Sequence, residues 1–522
     1  MKTSLRLIIF FAFINVSTNA QIMFQKTFGG SLIDFGASVH QTTDGGFILT
    51  GRISLSSTDQ DAFLIKTNAN GDTLWTKKYG GLNLENGSSV EPTTDGGYIV
   101  TGWTSSFGAG NFDVYLIKTD AVGDTLWTKT YGGTQQDQGR SVQQTTDGGY
   151  IVSGTTRSFG LPGFNAYLIK TNANGDTLWT KAFGGPTGQY DGHAVKQTAD
   201  GGYIVGGWAN GITDLCLIKT NSTGDSLWTK TYGGINADLG ADVQQTTDGG
   251  YILAGKISGT GVGNNDACLI KTNAVGDTLW TKTYGGLGDN SASTVQQTTD
   301  GGYIFVGLTN SFGAGNYDIY LIKTNAAGDT LWTTTYGGTN DEQGSAVYQT
   351  VDGGYIIIGY TNSLGAGNSD IYLIKTDVNG NSGCNQNGTA TIVKTPAIIV
   401  NGTAASISST NTVIKSPATL VRNGVLVTPL CFSVRINESS NTTSFLMFPN
   451  PSSGNFNIEL GRRVLRGTVE IINILGENIF SKNILNEDRM DINLNTISSG
   501  IYFVKVFDGH DNFCNKIFFK NE

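Results

Sequence analysis

Acidic or amide side chains recur at one position of a repeated pattern, three residues before each Leu-Ile-Lys segment. Carboxylates at a fixed spacing could act in acid–base chemistry or bind a metal ion. Every repeat carries one, whereas an active site is normally asymmetric, so the pattern favours a cap at the start of a strand. The seven residues are Asp61, Asp113, Asn165, Asp214, Asp266, Asp318 and Asp370.

Glutamine occupies a second recurring position, two residues after a valine. Residues two apart in a strand share a face, so the glutamine lies on the same face as a buried valine. Two interpretations are open: hydrogen bonds to the backbone of a neighbouring repeat near an axis, or a polar channel that holds a ligand or ion. The candidate channel-lining residues are Gln41, Gln144, Gln197, Gln245, Gln297 and Gln349, and Pro92 interrupts the series.

Lysine recurs five residues after each acid or amide of the first series. By the same reasoning, we expect these lysines to form a solvated belt around the repeats rather than a site. They are Lys66, Lys118, Lys170, Lys219, Lys271, Lys323 and Lys375.

Turns of the type Asn68-Ala69-Asn70-Gly71-Asp72 place several oxygen donors together, which is what calcium prefers. The second donor is lost in the corresponding turn at 121–124, so a hairpin turn is favoured over a metal site. These turns are similar to the Asp-box of sialidase propellers, but the defining aspartate is alanine here, as at Ala69.

The remaining reactive side chains do not form a recognisable catalytic pattern. His40 and His193 occupy different places in their repeats and are not expected to meet. Cys216 and Cys268 replace a third-strand aromatic and are predicted to be core thiols. The sequence has no Gly-x-Ser-x-Gly, no His-Glu-x-x-His and no glycine-rich phosphate loop. We therefore predict no catalytic residues, no metal and no cofactor.

The stretch that must position these residues is Asp147-Gly148-Gly149-Tyr150, which recurs in seven copies 48 to 53 residues apart. One unit predicts four strands, at 141–146, 150–154, 166–170 and 178–181, because glycines supply the turns between them. The middle two strands are almost continuously apolar, as expected of strands that are covered on both faces.

A four-stranded sheet with two apolar faces can bury them only against copies of itself, which predicts a seven-bladed β-propeller at 21–380. The Leu-Trp of the fourth strand occurs only six times. The segment 23–30 reproduces its pattern, with Phe24 in place of tryptophan. We therefore expect an N-terminal strand to complete the last blade and close the ring.

The repeat resembles the SBBP family of β-propeller repeats, in its Gly-Gly, Val-rich strand, Asp-x-Gly turn, Tyr-x-x-x-Gly and late Trp. Its Gly-Asp-Thr-Leu-Trp segment also resembles the tryptophan-docking motif of quinoprotein propellers. The resemblance covers residues 22 to 380 and implies the fold, not an activity, because propellers host many functions.

The N-terminus predicts export. Residues 1–20 combine Lys2 and Arg6, a short apolar core and small polar residues, as in a secretory signal peptide. No later apolar stretch is long enough to span a membrane, so we expect no membrane span in the mature chain. The net charge of −9 argues against nucleic acid as a partner.

Beyond residue 380 the repeat is lost. Residues 381–443 are rich in Ser, Thr and Asn and predict a β-prone connector that packs on the propeller. Cys384 and Cys431 bracket the connector, and an oxidising compartment permits a disulfide between them. The alternative is two independent buried thiols.

Residues 444–522 predict a small β-sandwich of about seven strands. The opening Pro449-Asn450-Pro451, the Leu475-Gly476 turn and the Gly500-Ile501-Tyr502-x-Val-x-Val strand resemble the C-terminal sorting domain of type IX secretion cargo, except that Phe448 stands where tyrosine is commoner. The resemblance implies that the type IX machinery recognises this domain, removes it, and leaves the protein released or attached at the cell surface.

Taken together, the sequence predicts a non-catalytic propeller for binding or adhesion, with a glycan or protein as ligand. The competing hypothesis is an extracellular carbohydrate-active enzyme, a hydrolase or lyase, with its site at one mouth of the ring. The loops that differ most between repeats, at 161–164, 186–189 and 208–211, would then have to bring acids, histidine or tyrosine together.

Overall fold

The computed structural model describes residues 21–519 except for short gaps. The gaps are 186–188, 210–213, 403–405, 410–412, 416–419, 423–425, 436–444, 449–451, 453–454, 474–477, 495–499 and 508–511. The chain divides into one compact unit, Gln21–Arg435, and a second that includes Ile436–Glu522. The predicted signal peptide at 1–20 lies outside the described residues. Within the described part, no helix is long and apolar enough to cross a membrane.

The first unit begins with strand β1 (Gln21–Gly29), and the repeats then supply seven antiparallel sheets. Each repeat contributes its strands in chain order. Sheet 1 contains β2 (Phe35–Gln41), β3 (Phe47–Ser54), β4 (Gln60–Thr67) and β5 (Thr73–Gly80); sheet 2 contains β6 (Glu85–Pro92), β7 (Tyr98–Thr104), β8 (Asp113–Thr119) and β9 (Thr125–Gly132); sheet 3 contains β10 (Asp137–Gln144), β11 (Tyr150–Thr156), β12 (Asn165–Thr171) and β13 (Thr177–Gly184).

The same order continues through the remaining repeats. Sheet 4 contains β14 (Tyr190–Gln197), β15 (Tyr203–Ala209), β16 (Asp214–Thr220) and β17 (Ser226–Gly233); sheet 5 contains β18 (Leu239–Gln245), β19 (Tyr251–Ser258), β20 (Asn265–Thr272) and β21 (Thr278–Gly285); sheet 6 contains β22 (Asn290–Gln297), β23 (Tyr303–Thr309), β24 (Asp318–Thr324) and β25 (Thr330–Tyr336); sheet 7 contains β26 (Glu342–Gln349), β27 (Tyr355–Thr361), β28 (Asp370–Thr376) and, from the N-terminus, β1.

The core lies between neighbouring sheets. Strands β11 and β12 are buried along their whole length, because each sheet is covered on both faces. One apolar cluster joins Ile99 and Leu116 of sheet 2 to Val142, Val152 and Ile169 of sheet 3, and equivalent clusters lie between other neighbouring sheets. No sheet can therefore keep its core if its neighbour is lost.

The N-terminal strand β1 closes the series, as the sequence predicted. It pairs antiparallel with β28, from Phe24 opposite Lys375 to Phe28 opposite Ile371. Both phenylalanines are fully buried in a cluster that contains residues of sheets 7 and 1. Strand β2 also contacts β26 and β27, so the seventh sheet packs against the first and the unit is a closed ring. We call it the ring unit.

Motifs at the fourth strand link each sheet to the next. The Tyr131 hydroxyl donates to the backbone oxygen of Gly175 at 2.6 Å, and a Cβ at Gly175 would lie 2.8 Å from a ring carbon of Trp127. Asn172 Oδ1 accepts from the backbone N–H groups of Asn174 and Asp176, both at 2.9 Å. The turn oxygens are thus engaged inside the turn, and its glycine is the surface on which the tryptophan of the preceding sheet packs.

The third-strand lysines are not solvated, so the prediction of a solvated belt was wrong. Lys170 Nζ lies 2.9 Å from Asp147 Oδ2 and donates to the backbone oxygen of Thr171 at 2.8 Å. The glycine of the Asp-Gly-Gly turn leaves room for the lysine, since a Cβ at Gly149 would lie 2.7 Å from Nζ. All seven third-strand lysines are buried: Lys66, Lys118, Lys170, Lys219, Lys271, Lys323 and Lys375.

These ion pairs change the acidity of the turns. Burial alone would raise the pKa of Asp147, but hydrogen bonds from Thr145, Lys170 and the Gly149 backbone outweigh it and lower the pKa to about 2. The aspartates with the same shift are Asp44, Asp95, Asp200, Asp248 and Asp300. The Asp-Gly-Gly turn is therefore both a hairpin and the anchor of a buried lysine.

The predicted connector adds a fifth strand to every sheet of the ring unit. Its strands pair antiparallel with the outer strands of sheets 6, 5, 4, 3, 2, 1 and 7, in that order. They are β29 (Gln386–Gly388), β30 (Ile392–Lys394), β31 (Ile399–Gly402), β32 (Ser406–Ser409), β33 (Val413–Lys415), β34 (Leu420–Arg422) and β35 (Leu426–Arg435). We call the segment β29–β35 the belt, because it follows the whole outer edge of the ring.

The C-terminal unit has seven described strands in two sheets. They are β36 (Leu446–Phe448), β37 (Asn455–Val464), β38 (Gly467–Asn473), β39 (Asn478–Ile484), β40 (Glu487–Asn493), β41 (Gly500–Phe507) and β42 (Asn512–Phe519). One sheet has the order β36-β37-β40 and the other β39-β38-β41-β42. Their apolar side chains form one core, which includes Phe456, Ile458, Val469, Val504 and Ile517.

Candidate functional site

A cavity of about 810 Å³ lies where the first strands of all seven sheets come together. Consecutive first strands contact one another around the ring, and β2 contacts both β6 and β26. The cavity is therefore axial. We call it the axial cavity.

The strand period decides which residues face the axial cavity. Val90 and Val195 point away from the axis into the cores between sheets and are fully buried. The residues after the seven valines are His40, Glu91, Gln143, Lys196, Gln244, Gln296 and Tyr348, and all but Gln143 line the cavity. The backbone has a sevenfold repeat, but the side chains at the axis are chemically asymmetric.

An ion pair crosses the axial cavity. Lys196 Nζ of sheet 4 lies 3.4 Å from Glu91 Oε1 of sheet 2, so the contact spans the intervening sheet 3. Burial would lower the pKa of Lys196, but the charges of Glu91 and Asp242 outweigh it and raise that pKa. The lysine therefore stays positively charged at neutral pH.

His40 is in a different electrostatic state. Its ring lies 4.8 Å from the Tyr348 ring. Burial lowers the pKa of His40 to about 4, with Lys196 acting in the same direction and Glu91 opposing. At neutral pH this imidazole is therefore uncharged and packs against the Tyr348 ring.

The two carboxylates at the axis are held by backbone groups of the next sheet. Glu91 Oε2 accepts from the Gln144 N–H at 3.4 Å. Asp242 accepts from the Val295 N–H at 3.0 Å and from its neighbour Val243 at 2.8 Å. Both acids thus join neighbouring sheets through hydrogen bonds from the backbone.

One end of the axial cavity has a distinct lining, which we call the mouth. Five of its residues occupy the same repeat position, the one after the glycine of Tyr-x-x-x-Gly or its equivalent: Arg52, Trp103, Trp208, Lys256 and Tyr360. Strand pairing places Phe35 opposite Arg52 and Gln343 opposite Tyr360, so the first and second strands both contribute. The mouth combines aromatic and positively charged side chains.

The aromatic groups of the mouth are fixed by one another. The guanidinium of Arg52 lies 4.3 Å from the centre of the Phe35 ring, and Phe35 meets Tyr360 edge to face at 4.6 Å. Trp103 meets Phe112 edge to face at 4.8 Å. These contacts hold the side chains of Arg52, Tyr360 and Trp103 in place without a ligand.

Sheets 3 and 4 add a charged group to the mouth. His193 Nε2 lies 3.4 Å from Asp191 Oδ2, and Arg140 lines the cavity beside them. Burial would raise the pKa of Asp191, but His193 and Arg140 outweigh it and lower that pKa. His40 and His193 both line the axial cavity, at different levels of the ring.

The six predicted glutamines lie elsewhere. Each amide oxygen accepts a backbone N–H from the turn of a neighbouring sheet, for example Gln144 from Thr94 and Gln197 from Thr146, both at 2.9 Å. Gln245, Gln297, Gln349 and Gln41 accept from Ala199, Thr247, Thr299 and Val351 in the same way. None of these six described residues is among those that line the axial cavity. Of the two interpretations, these contacts match hydrogen bonds to the backbone of a neighbouring repeat. The residues that line the axial cavity stand one position before the glutamines.

The third-strand acids cap loops and form pairs between sheets. Asp113 Oδ2 accepts from the Ala109 and Gly110 N–H groups at 2.9 and 3.0 Å. The other oxygen faces Asp137 of the next sheet, since a Cβ at Gly132 would lie 2.0 Å from Asp113 Oδ1 and 2.8 Å from Asp137 Oδ2. Burial, with Asp137 adding to it, raises the pKa of Asp113. None of these acids lines the axial cavity.

The residues of the mouth have a signal in the sequence, which is variation between repeats at one position. The position after the Tyr-x-x-x-Gly glycine changes from Arg to Trp to Lys to Tyr between repeats, whereas the glutamine position is nearly constant. When one repeat position carries different side chains from repeat to repeat, packing between the sheets does not dictate the residue there. Of the variable loops named above, Trp208 lines the cavity, and residues 186–188 and 210–213 lie outside the described residues.

Comparison with known proteins identifies the C-terminal unit. Residues 446–520 match the secretion system C-terminal sorting domain, which confirms the sorting domain predicted from the sequence. The protein is a β-repeat protein exported by type IX secretion across the outer membrane, and is secreted or surface-attached. The domain implies interaction with the type IX machinery.

A distant relative is the regulatory protein FlaEY of Caulobacter vibrioides, 25% identical over 177 residues. The match covers 28% of this chain and 18% of FlaEY. The match supports a distant relationship between the repeats of this chain and those of FlaEY.

Proposed function

We propose that the ring unit is a seven-bladed β-propeller of the SBBP type that binds an extracellular ligand at the mouth of its axial cavity. One observation carries the proposal: a backbone with sevenfold repetition encloses an axial cavity whose lining side chains are asymmetric. Its volume of about 810 Å³ is within the range of sites for small ligands. The ligand is a glycan or a segment of a protein.

Binding is favoured over catalysis by the state of the acids. Glu91 is paired with Lys196, and both oxygens of Asp242 accept backbone N–H groups. Asp191 is only 7% exposed and is paired with His193. Acids engaged in this way stabilise the ring, whereas the aromatic and cationic groups of the mouth face the cavity.

Export determines where binding takes place. We propose that the signal peptide at 1–20 and the sorting domain at 444–522 are both removed, and that the propeller is then released or held at the cell surface. In either case the mouth meets extracellular ligands.

A glycan array and a set of extracellular matrix proteins, probed with the secreted protein, test this function. Trp208→Ala and Tyr360→Ala should each weaken the strongest interaction by about tenfold or more, because stacking groups dominate such sites. Leu287→Ala is the control, since Leu287 is 84% exposed and does not line the cavity. Equal binding by all three variants would contradict a site at the mouth.

The second candidate is a carbohydrate-active enzyme. It is favoured by the presence of two histidines, His40 and His193, with Glu91 and Asp242 in the lining of one asymmetric cavity. If it is correct, Glu91→Gln or Asp242→Asn should abolish the release of reducing ends or unsaturated products from polysaccharides by the secreted protein. If wild-type protein releases no product from any substrate it binds, the binding function stands.

A further inference from the structure

The charge of the mouth differs from that of the whole chain. The chain carries a net charge of −9, yet Arg52, Arg140 and Lys256 all line one end of the axial cavity. The neighbouring Asp191 is buried and paired with His193. A ligand at the mouth therefore meets an excess of positive charge.

Two of these cations have donors to spare. Within the described structure, Nε of Arg52 and Nε of Arg140 are buried and have no hydrogen-bond partner. A buried donor without a partner is costly, and a guanidinium edge matches a carboxylate or sulfate in two parallel hydrogen bonds. Both arginines are thus suited to hold an anionic group.

The rest of the lining suits a saccharide. Trp103, Trp208 and Tyr360 present ring surfaces, and serines from several first strands, such as Ser89 and Ser141, supply hydroxyl groups. The cavity is too small for a folded partner but has room for a few sugar rings.

We propose that the mouth binds an acidic saccharide, with Arg52 and Arg140 holding its carboxylate or sulfate groups and the aromatic side chains contacting the sugar rings. This inference rests on the binding function proposed above and specifies its ligand class.

Calorimetric titration of the full secreted protein tests the ligand class. The probes are the trisaccharide of α-1,4-linked galacturonic acid and its neutral methyl ester. We expect the acid to bind at least about tenfold more tightly than the ester, and Arg52→Met or Arg140→Met to remove that preference. Arg157→Met is the matched control, because Arg157 stacks on Phe164 at 4.7 Å and does not line the cavity. Thermal unfolding of each variant checks that it is folded.

Equal affinity for the acid and the ester, loss of binding in Arg157→Met alone, or arginine-dependent binding of an acidic peptide without any saccharide would overturn the proposal. These failures differ from failure of the binding function. Binding of a neutral glycan that is lost in Trp208→Ala would support the mouth as a binding site but would exclude an acidic saccharide as its ligand.

A second inference rests on the belt and is independent of the ligand. Cys384, just before β29 on sheet 6, is joined by a disulfide to Cys431 in β35 on sheet 7, at a sequence separation of 47 residues. Between these cysteines the chain pairs with the outer edges of sheets 6 to 1 before it reaches sheet 7. The disulfide therefore closes a covalent loop that passes once around the ring.

The disulfide lies beside β1, the N-terminal strand that completes sheet 7. Cys431 pairs with Gln25 of β1. The Gln25 side chain donates to Ser382 Oγ at 2.6 Å and to the backbone oxygen of Cys384 at 2.5 Å, and its own oxygen accepts from Tyr372 at 2.5 Å. The ends of the belt, strand β1 and sheet 7 thus meet at one buried amide.

We infer that the oxidised belt is a hoop that holds the ring closed and covers the outer edges of its seven sheets, and that reduction releases it. Seven open sheet edges would otherwise be exposed to pairing with other chains. The link also closes a long loop, which is the case in which a disulfide restricts the unfolded chain most.

Limited proteolysis and thermal unfolding of the full chain test the hoop. The double variant Cys384→Ser/Cys431→Ser should be cleaved within 385–430 at least about tenfold faster than wild type, and its unfolding midpoint should fall by about 5 °C. Dithiothreitol should make wild type behave like the variant and leave the variant unchanged. The control is Cys216→Ala, a free buried thiol far from the belt in sequence. A belt equally protected in the double variant, with an unchanged midpoint, would overturn the inference.

Discussion

Replacement of Phe24 by alanine tests whether the ring depends on its N-terminal strand. Phe24 is 0% exposed, meets Phe47 of sheet 1 at a ring distance of 6.1 Å, and lies against Gly71, where a Cβ would come within 2.5 Å of its ring. Truncating a fully buried phenylalanine costs about 3–5 kcal/mol, which includes the lost aromatic pair and the cavity left behind.

We expect Phe24→Ala to lower the free energy of unfolding by about 3–5 kcal/mol in urea, followed by tryptophan fluorescence. The loss should appear in one transition, because the Phe24 cluster belongs to sheets 7 and 1 together. Amide hydrogen exchange should accelerate in β28 and β3, on either side of the closure.

Two matched variants separate closure from general damage. Leu74→Ala removes a side chain that is 57% exposed and should change stability by less than about 0.5 kcal/mol. Lys26→Met removes the 2.6 Å pair with Asp72, whose side chain is 61% exposed, and should cost no more than about 1 kcal/mol. If Phe24→Ala is no more destabilising than Leu74→Ala, the ring does not depend on β1 and the reasoning fails.

Three further predictions follow from the turns, the sheet interfaces and the sorting domain. The pKa of Asp147 is about 2 in the folded state, against an ordinary value of 3.8. The ionised carboxylate therefore stabilises the fold fully above about pH 4, and this stabilisation is lost as the pH falls toward 2. The midpoint of urea unfolding should decline over that interval, and it should decline by less in Asp147→Asn. Gly132→Ala should cost about 2–3 kcal/mol in chemical unfolding because its Cβ would lie 2.0 Å from Asp113 Oδ1, whereas Gly30→Ala, which has open space, should cost under about 1 kcal/mol. Deleting 446–522 should leave the protein in the periplasm, and its appearance in the medium by immunoblot would argue against the sorting role.

The structure alters how the protein's polar residues are to be understood. The sequence contains many regularly spaced polar side chains, and most of them join one strand or sheet to another: Lys170 anchors a turn, Gln144 binds the turn of the neighbouring sheet, and Glu91 binds the backbone where the next first strand ends. The residues available to a ligand are the irregular ones, such as Arg52 and Trp208. In this repeat protein, function is therefore sought where the repeats differ.

Local features made part of the fold predictable. The Asp-Gly-Gly turn depends on a glycine with positive φ, which is 82° at Gly148, and the apolar runs on either side form strands wherever both faces are covered. The count of seven turns and six Leu-Trp strands also predicted the role of β1, because a missing strand at one end and a spare one at the other fit together.

Other features depended on contacts between distant parts of the chain. The lysines were predicted to be solvated because one recurs in every repeat, but Lys170 is buried because it pairs with Asp147 in a turn 23 residues away. The belt has no repeat pattern, since its short strands add to edges that already exist.

By itself, the sequence determined the number of repeats, the turns that separate their strands, the strand that closes the ring and the sorting domain, since these are encoded in short stretches of chain. Only the tertiary structure decided the course of the belt, the pairing of Lys196 with Glu91 across the axis and the assembly of the mouth from six repeats. The physical reason is that a ring brings together residues one or more repeats apart, and nothing in the local pattern of a single repeat specifies which side chains will meet at its axis.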